Sequence, residues 1–210
     1  RLNPVRLGFI RGEIDRHFGT DARAPRPLTG KRALDAGCGA GLLCEPLARL
    51  GAEVTGVDAA AENIAAASQH AQAMGLAIDY RCDELDSLAL PAFDLVCSLE
   101  VIEHVADPAQ FLADCAKLLK PGGLMIMATL NRTAKAFALA VVGAEHVLRW
   151  LPVGTHEWSK FVTPAEASAA LTGAGLAVQE PVGVSFSPLS GRWSLGRDAA
   201  VNYMIVATRP

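Results

Sequence analysis

Between residues 31 and 130 short apolar blocks alternate with longer stretches whose apolar positions recur at helical spacing. The block "RALDAG" (32–37) is a short apolar run that closes on glycine, as a buried strand does, and "LLCEPLARLG" (42–51) has helical spacing with Gly51 at its end. A β-branched strand is expected at "AEVTGVD", a helix closed by Gly75 at "AAENIAAASQHAQAMG", a third strand at "AIDYRCD" and a fourth at "FDLVCSLE" after Pro91. A helix from about Pro108 to Leu119 should stop at "KPGG", and "LMIMATL" should form a fifth strand.

Strands that are apolar on both sides and alternate with helices specify a parallel sheet covered on both faces, a doubly wound α/β fold. Upstream, Arg6 to Phe18 reads as an amphipathic helix, and "GTDARAPRPLTGK" as a loop leading into the core. Beyond Thr163, "PAEASAALTGAGL" is a further helix. The runs "AVQEPVGVSF" and "VNYMIVATR" have no helix between them, so they should pair antiparallel at the sheet edge. The expected sheet therefore has seven strands, mostly parallel, with an antiparallel C-terminal hairpin at its edge.

Length and composition add bounds. A chain of 210 residues that is 51% hydrophobic suits one α/β domain with a substantial core. Its net charge of −3 offers no basis for a nucleic-acid partner and leaves a small molecule as the expected one. The five cysteines, at 38, 44, 82, 97 and 115, are odd in number and lack CxxC spacing, so they read as buried thiols of a reducing compartment, the bacterial cytoplasm. No stretch reaches the roughly 18 apolar residues of a membrane span, and the first residues are too charged for a secretory signal. A soluble or membrane-peripheral protein is expected.

Two motifs carry chemistry. "LDAGCGAG", Leu34 to Gly41, lies between a strand and a helix, where glycines let the backbone approach a ligand and the helix start supplies amide donors. Asp58 follows at the tip of the second strand, where a carboxylate accepts both ribose hydroxyls of a nucleoside. The spacing G-x-G-x-G, rather than GxGxxG, disfavours a dinucleotide. The second motif is "SLEVIEHVADP", in which Glu100, Glu103 and His104 are spaced i, i+3, i+4, so that one helical turn would set them on one face. Such a triplet is open to three readings: a metal site, an acid/base site, or a helix start. A further cluster, "VGTHEWSKF", puts His156 and Glu157 in a loop. Between these, Thr133 to Leu151 reads as an amphipathic helix with Phe137, Val141, Ala144, Leu148 and Leu151 on one face and Lys135, His146 and Arg149 on the other. It either packs on the sheet or lies in a membrane interface.

Taken together, "LDAGCGAG", Asp58, Asp83 after the third strand, "SLEVIEHV" and "LKPGG" resemble the class I S-adenosylmethionine-dependent methyltransferases. More narrowly, "NPVRLGFI", "TLNRT", "VVGAEHVLRWLPVGTHEWSKFVTPAE" and "VNYM" resemble the O-methyltransferase family of ubiquinone biosynthesis, over Leu2 to about Thr208. The resemblance implies a Rossmann-like methyltransferase fold, one domain over residues 1–210 with a helical, membrane-facing lid at about 131–165. It implies S-adenosyl-L-methionine as cofactor, with Arg6 at the methionine carboxylate, Gly37 and Gly39 against the cofactor, Asp58 on the ribose, Asp83 beside the adenine and the Leu99 main chain at the methionine end. It also implies that Glu100, Glu103 and His104 hold a divalent cation, Mg²⁺, Mn²⁺ or Zn²⁺, whose open positions a catechol fills. Metal-free alternatives keep Glu103 or His104 as a general base or leave the triplet as an active-site rim; in the loop cluster, either His156 or Glu157 is expected to contact the phenol. The implied substrate is a polyprenyl catechol or demethylubiquinol, met at a membrane surface by a peripheral protein that also partners other ubiquinone-biosynthesis enzymes. The competing readings are a methyltransferase for a soluble phenol and an inactive lipid-binding assembly subunit.

Overall fold

The computed structural model describes residues 2–137, 158–187 and 191–210. The expected lid helix is described only at its start, and His156 lies outside the described residues.

The first helix, α1, spans Asn3–Phe18 and starts three residues earlier than expected, because Pro4 is accommodated in the first turn, where its missing N–H has no partner to lose. The elements that follow are β1 (Arg32–Ala36), α2 (Cys44–Arg49), β2 (Glu53–Asp58), α3 (Ala61–Ala73), β3 (Ile78–Cys82), β4 (Phe93–Leu99), α4 (Pro108–Lys117) and β5 (Leu119–Leu130). A helical turn at Ala134–Ala136 (α5) precedes α6 (Pro164–Gly173), and the chain closes with β6 (Ala177–Val178), β7 (Val182–Ser187), β8 (Arg192–Gly196) and β9 (Asn202–Thr208). The start of α6 is secured by a capping box in which Thr163 and Glu166 each satisfy the other's backbone N–H.

The sheet runs β3-β2-β1-β4-β5-β9-β7-β8, with β6 pairing β9. Neighbours among the first five strands pair in parallel. β9 lies antiparallel between β5 and β7, so the expected edge pairing is present. The sheet has nine strands rather than the seven expected. The two additional strands are β6, only two residues long, and β8, whose sequence "RWSLG" is mostly exposed and so lacks an apolar run to signal it.

Side chains alternate across the sheet and build two cores. Along β5, Met125 and Met127 join Val96, Leu112, Leu171 and Tyr203 under α4 and α6, while Leu124, Ile126 and Ala128 join Ile10, Ile14, Leu47 and Cys97 under α1 and α2. Four of the cysteines are buried and Cys82 is exposed, all as free thiols. No helix among the described residues is long and apolar enough to cross a membrane.

Chain order runs outward from β1 to β3 and then returns to β4 on the other side of β1. That reversal leaves a crevice beyond the carboxyl ends of β1 and β4, where open α/β sheets bind ligands.

Candidate active site

A cavity of about 890 Å³ occupies this crevice, and Arg6, Gly37, Gly39, Asp58, Asp83 and Leu99 all line it. The structure thus brings together every residue expected to meet a cofactor. The loop after β1 is tied to the end of β2 by the N–H groups of Gly37 and Cys38, which both donate to the Val57 carbonyl at 2.8 and 2.9 Å. Gly37 has φ +77°, and a Cβ there would sit 2.3 Å from Val101 Cγ2. Glycine is therefore demanded by the neighbouring side chain as well as by backbone conformation. A Cβ on Gly39 would meet nothing within 4 Å, so that glycine leaves open space on the cavity side.

Asp58 is locked in place. Oδ2 accepts from the Gly39 N–H at 2.8 Å, and Oδ1 accepts from the Ala60 N–H and the Asn63 amide, both at 3.0 Å. A carboxylate offers about four acceptor positions, so roughly one stays open. The expectation that Asp58 takes both ribose hydroxyls is narrowed accordingly: the protein's own donors hold most of its capacity. Asp83 accepts from the Glu84 N–H at 2.9 Å and is exposed at the cavity rim.

Arg6 is 7% exposed, and its guanidinium donates to the Glu100 carboxylate. Its Nε is buried without a partner. Glu100 has φ +57°, the one positive φ outside glycine among the described residues, at the point where β4 ends and the chain turns. No α-helix follows: residues 102–104 form a single turn closed by the His104 N–H on the Val101 carbonyl at 2.8 Å, and α4 begins only at Pro108, with Asp107 accepting from the Gln110 N–H at 3.0 Å as its cap. The single helical face expected for Glu100, Glu103 and His104 is therefore not formed.

The three side chains do not share one site. Glu100, paired with Arg6, and His104 both line the cavity, whereas Glu103 is 3% exposed and accepts at Oε2 from the Thr129 hydroxyl at 2.7 Å. Burial, reinforced by the Glu100 charge, pushes the Glu103 carboxyl up to about 7. Among the described residues no group of three His, Cys, Asp or Glu side chains is arranged to hold a metal ion. The triplet does not fit the expected cation site in this arrangement, because one carboxylate is committed to a guanidinium and the other is turned into the core.

Sequence reasoning missed Asp35. It stands at the end of β1, 2% exposed, lines the cavity, and accepts from the Cys44 thiol at 3.3 Å. Burial is the main cause that pushes its carboxyl up to about 7, with the nearby Asp58 charge adding to it against the opposing thiol hydrogen bond. The signal was available: one carboxylate inside the otherwise apolar block "RALDAG" is an expensive residue to bury without a purpose.

A fold of this kind with a glycine loop and a strand-tip aspartate over one crevice defines a nucleoside-binding α/β enzyme. Residues 34–127 match the model of a methyltransferase domain. Over its whole length the chain is 56% identical to the ubiquinone biosynthesis O-methyltransferase of Parvibaculum lavamentivorans, spanning 83% of that protein. It is 57% identical to that of Maricaulis maris, again over its whole length and 83% of the relative. Among solved structures it resembles magnesium protoporphyrin IX methyltransferase from Synechocystis PCC 6803 with bound SAH, with a TM-score of 0.69 at 20% identity over 100% of this chain and 85% of that one. An S-adenosylmethionine-dependent methyltransferase from Clostridium acetobutylicum gives a TM-score of 0.70 at 15% identity, covering 97% of this chain and 90% of that one. The chain belongs to the ubiquinone biosynthesis O-methyltransferase family.

Proposed function

We propose that this chain is a single methyltransferase domain that methylates a phenolic hydroxyl of a polyprenyl catechol or demethylubiquinol, with S-adenosylmethionine in the crevice cavity. The observation that carries this reading is the convergence of Arg6, Gly37, Gly39, Asp58, Asp83 and Leu99 on one cavity of small-molecule size. When bound, S-adenosylmethionine supplies an electrophilic methyl group on a sulfonium. Arg6 is suited to its carboxylate, since the unpartnered Nε is a buried donor that lacks an acceptor. The remaining acceptor position on Asp58 receives a ribose hydroxyl. The buried Asp35 carboxyl, facing the same cavity, is a counter-charge for a cationic ligand.

On the acceptor side, the exposed His104 lines the rim, and its ring would take the phenol proton as the methyl group passes to the phenol oxygen and the carbon–sulfur bond of the sulfonium breaks to leave the neutral thioether. Positioning both reactants across one cavity supplies much of the rate. His156 and the expected divalent cation enter no step of this reading.

Peripheral attachment to the inner-membrane surface, facing the cytoplasm and the neighbouring enzymes of the pathway, is part of the same proposal. It is supported by Phe137 and Trp158, both exposed, whose rings meet edge to face at 6.1 Å. Aromatic side chains of this kind suit the headgroup level. Sedimentation with anionic phospholipid vesicles tests it, and protein that stays in the supernatant refutes it. The cofactor reading is tested by calorimetry with S-adenosylhomocysteine: Asp58→Ala should weaken binding at least about tenfold, the effect of losing a hydrogen bond to a charged group. Unchanged affinity would overturn it.

A further inference from the structure

A second cavity of about 560 Å³ lies on the α4/α6 side of the molecule. Its apolar walls come from Val105, Leu112 on α4, Phe161, Val162, and Ala167 and Ala170 on α6. Its size falls in the range of small-molecule sites. Of the charged side chains around it, the half-buried Arg132 is paired with the exposed Glu166, the Asp107 carboxylate caps α4, and the exposed Lys160 and His104 stand at the rim. The chemistry its buried walls offer a ligand is apolar contact.

Its position gives it meaning. His104, Val105 and Ala106 line both this cavity and the cofactor cavity. They form a sill shared by the two cavities, with the proposed methyl donor on one side and the chamber on the other. A molecule lying across the sill needs a small polar head joined to an apolar body, and a phenol bearing an isoprenoid chain has that form.

We propose that the cavity between α4 and α6 holds the ring-proximal isoprenoid segment of the acceptor, so that His104, Val105 and Ala106 set the depth at which the phenol oxygen enters the cofactor cavity. This rests on the acceptor reading above and deepens it. The chamber then selects prenylated over unprenylated phenols, because an apolar pocket gains affinity with each methylene it buries. α6 is fitted for the role, being held rigidly at its start by the Thr163 and Glu166 capping box.

Two substitutions fill the chamber. Ala109→Trp introduces bulk from an exposed position in the first turn of α4, where the fold tolerates it, and Ala170→Trp does so from the partly buried face of α6. Binding of geranyl-substituted catechol and of catechol itself is measured by calorimetry, with and without S-adenosylhomocysteine. The unmodified protein should bind the geranyl compound at least about tenfold more tightly than catechol, the lower end of what one methylene confers in an apolar pocket. Both variants should lose that preference while binding S-adenosylhomocysteine as before. Equal binding of the two phenols by the unmodified protein, or a preference that survives both substitutions, overturns the proposal. Failure of S-adenosylhomocysteine to bind the unmodified protein would overturn the cofactor reading instead, and the measurements made without it would still decide the fate of the chamber.

Discussion

Asp35 offers the sharpest quantitative test of the site, because a carboxyl whose ordinary value is 3.8 is held at about 7. In the unfolded chain it loses its proton near pH 4, whereas the folded protein keeps the proton until about pH 7. Below pH 4 both states carry the proton and Asp35 contributes no pH dependence. Between pH 4 and 7 the folded state binds more protons than the unfolded one, so stability falls as pH rises, and above pH 7 the full loss is present. At ~1.4 kcal/mol per pH unit the interval from 3.8 to about 7 corresponds to roughly 4 kcal/mol. Asp35→Asn keeps the shape and can still accept from the Cys44 thiol, but it does not titrate. Other groups titrate alike in both proteins and cancel in the comparison. The stability gain of the Asn variant should therefore be roughly 2–3 kcal/mol larger at pH 8 than at pH 5, which in a chain of this size is about 5–10 °C in Tm. Thermal unfolding of the two ligand-free proteins at both pH values measures it. A gain that does not grow with pH would show that Asp35 carries no buried charge and would refute the reasoning. The same variant should bind a cationic cofactor more weakly, since the counter-charge is gone.

Two other predictions follow from the same site. Gly37→Ala drives a Cβ to 2.3 Å from Val101 Cγ2 at φ +77° and should destabilise by about 2–4 kcal/mol from overpacking plus backbone strain; Val101→Ala should restore part of that loss in denaturant melts, and absence of any rescue would show that the Val101 contact is not the cause. Thr129→Val removes the hydroxyl that favours the ionised form of Glu103, so the Glu103 midpoint should rise above about 7 in a side-chain carbon NMR titration; an unmoved midpoint would contradict the hydrogen bond.

The legible part of the fold was the part written in local pattern. Short apolar blocks alternating with stretches of helical spacing marked β1 to β5 and the helices between them, since the central strands are buried on both faces and read as apolar runs. β8 was not legible because an exposed edge strand needs no apolar run, and β6 was not because two residues carry no period. The six residues expected at the cofactor were read from motif spacing and resemblance, and all six line one cavity. The shared face expected for Glu100, Glu103 and His104 was not formed, because i, i+3, i+4 spacing has a shared face only if the backbone is helical, and Glu100 at φ +57° breaks the helix before it starts.

By itself the sequence determined the order of strands and helices, the glycine loop with its strand-tip carboxylate, and the family, all of which depend on neighbours in the chain. Tertiary structure decided what depends on residues far apart. It paired Arg6 with Glu100, 94 residues away, turned Glu103 inward to Thr129, buried the Asp35 carboxyl, and set a second chamber against the first across His104, Val105 and Ala106. The physical reason is that burial and long-range pairing set the charge state and reach of a side chain. Neither property belongs to a residue until the chain has folded around it.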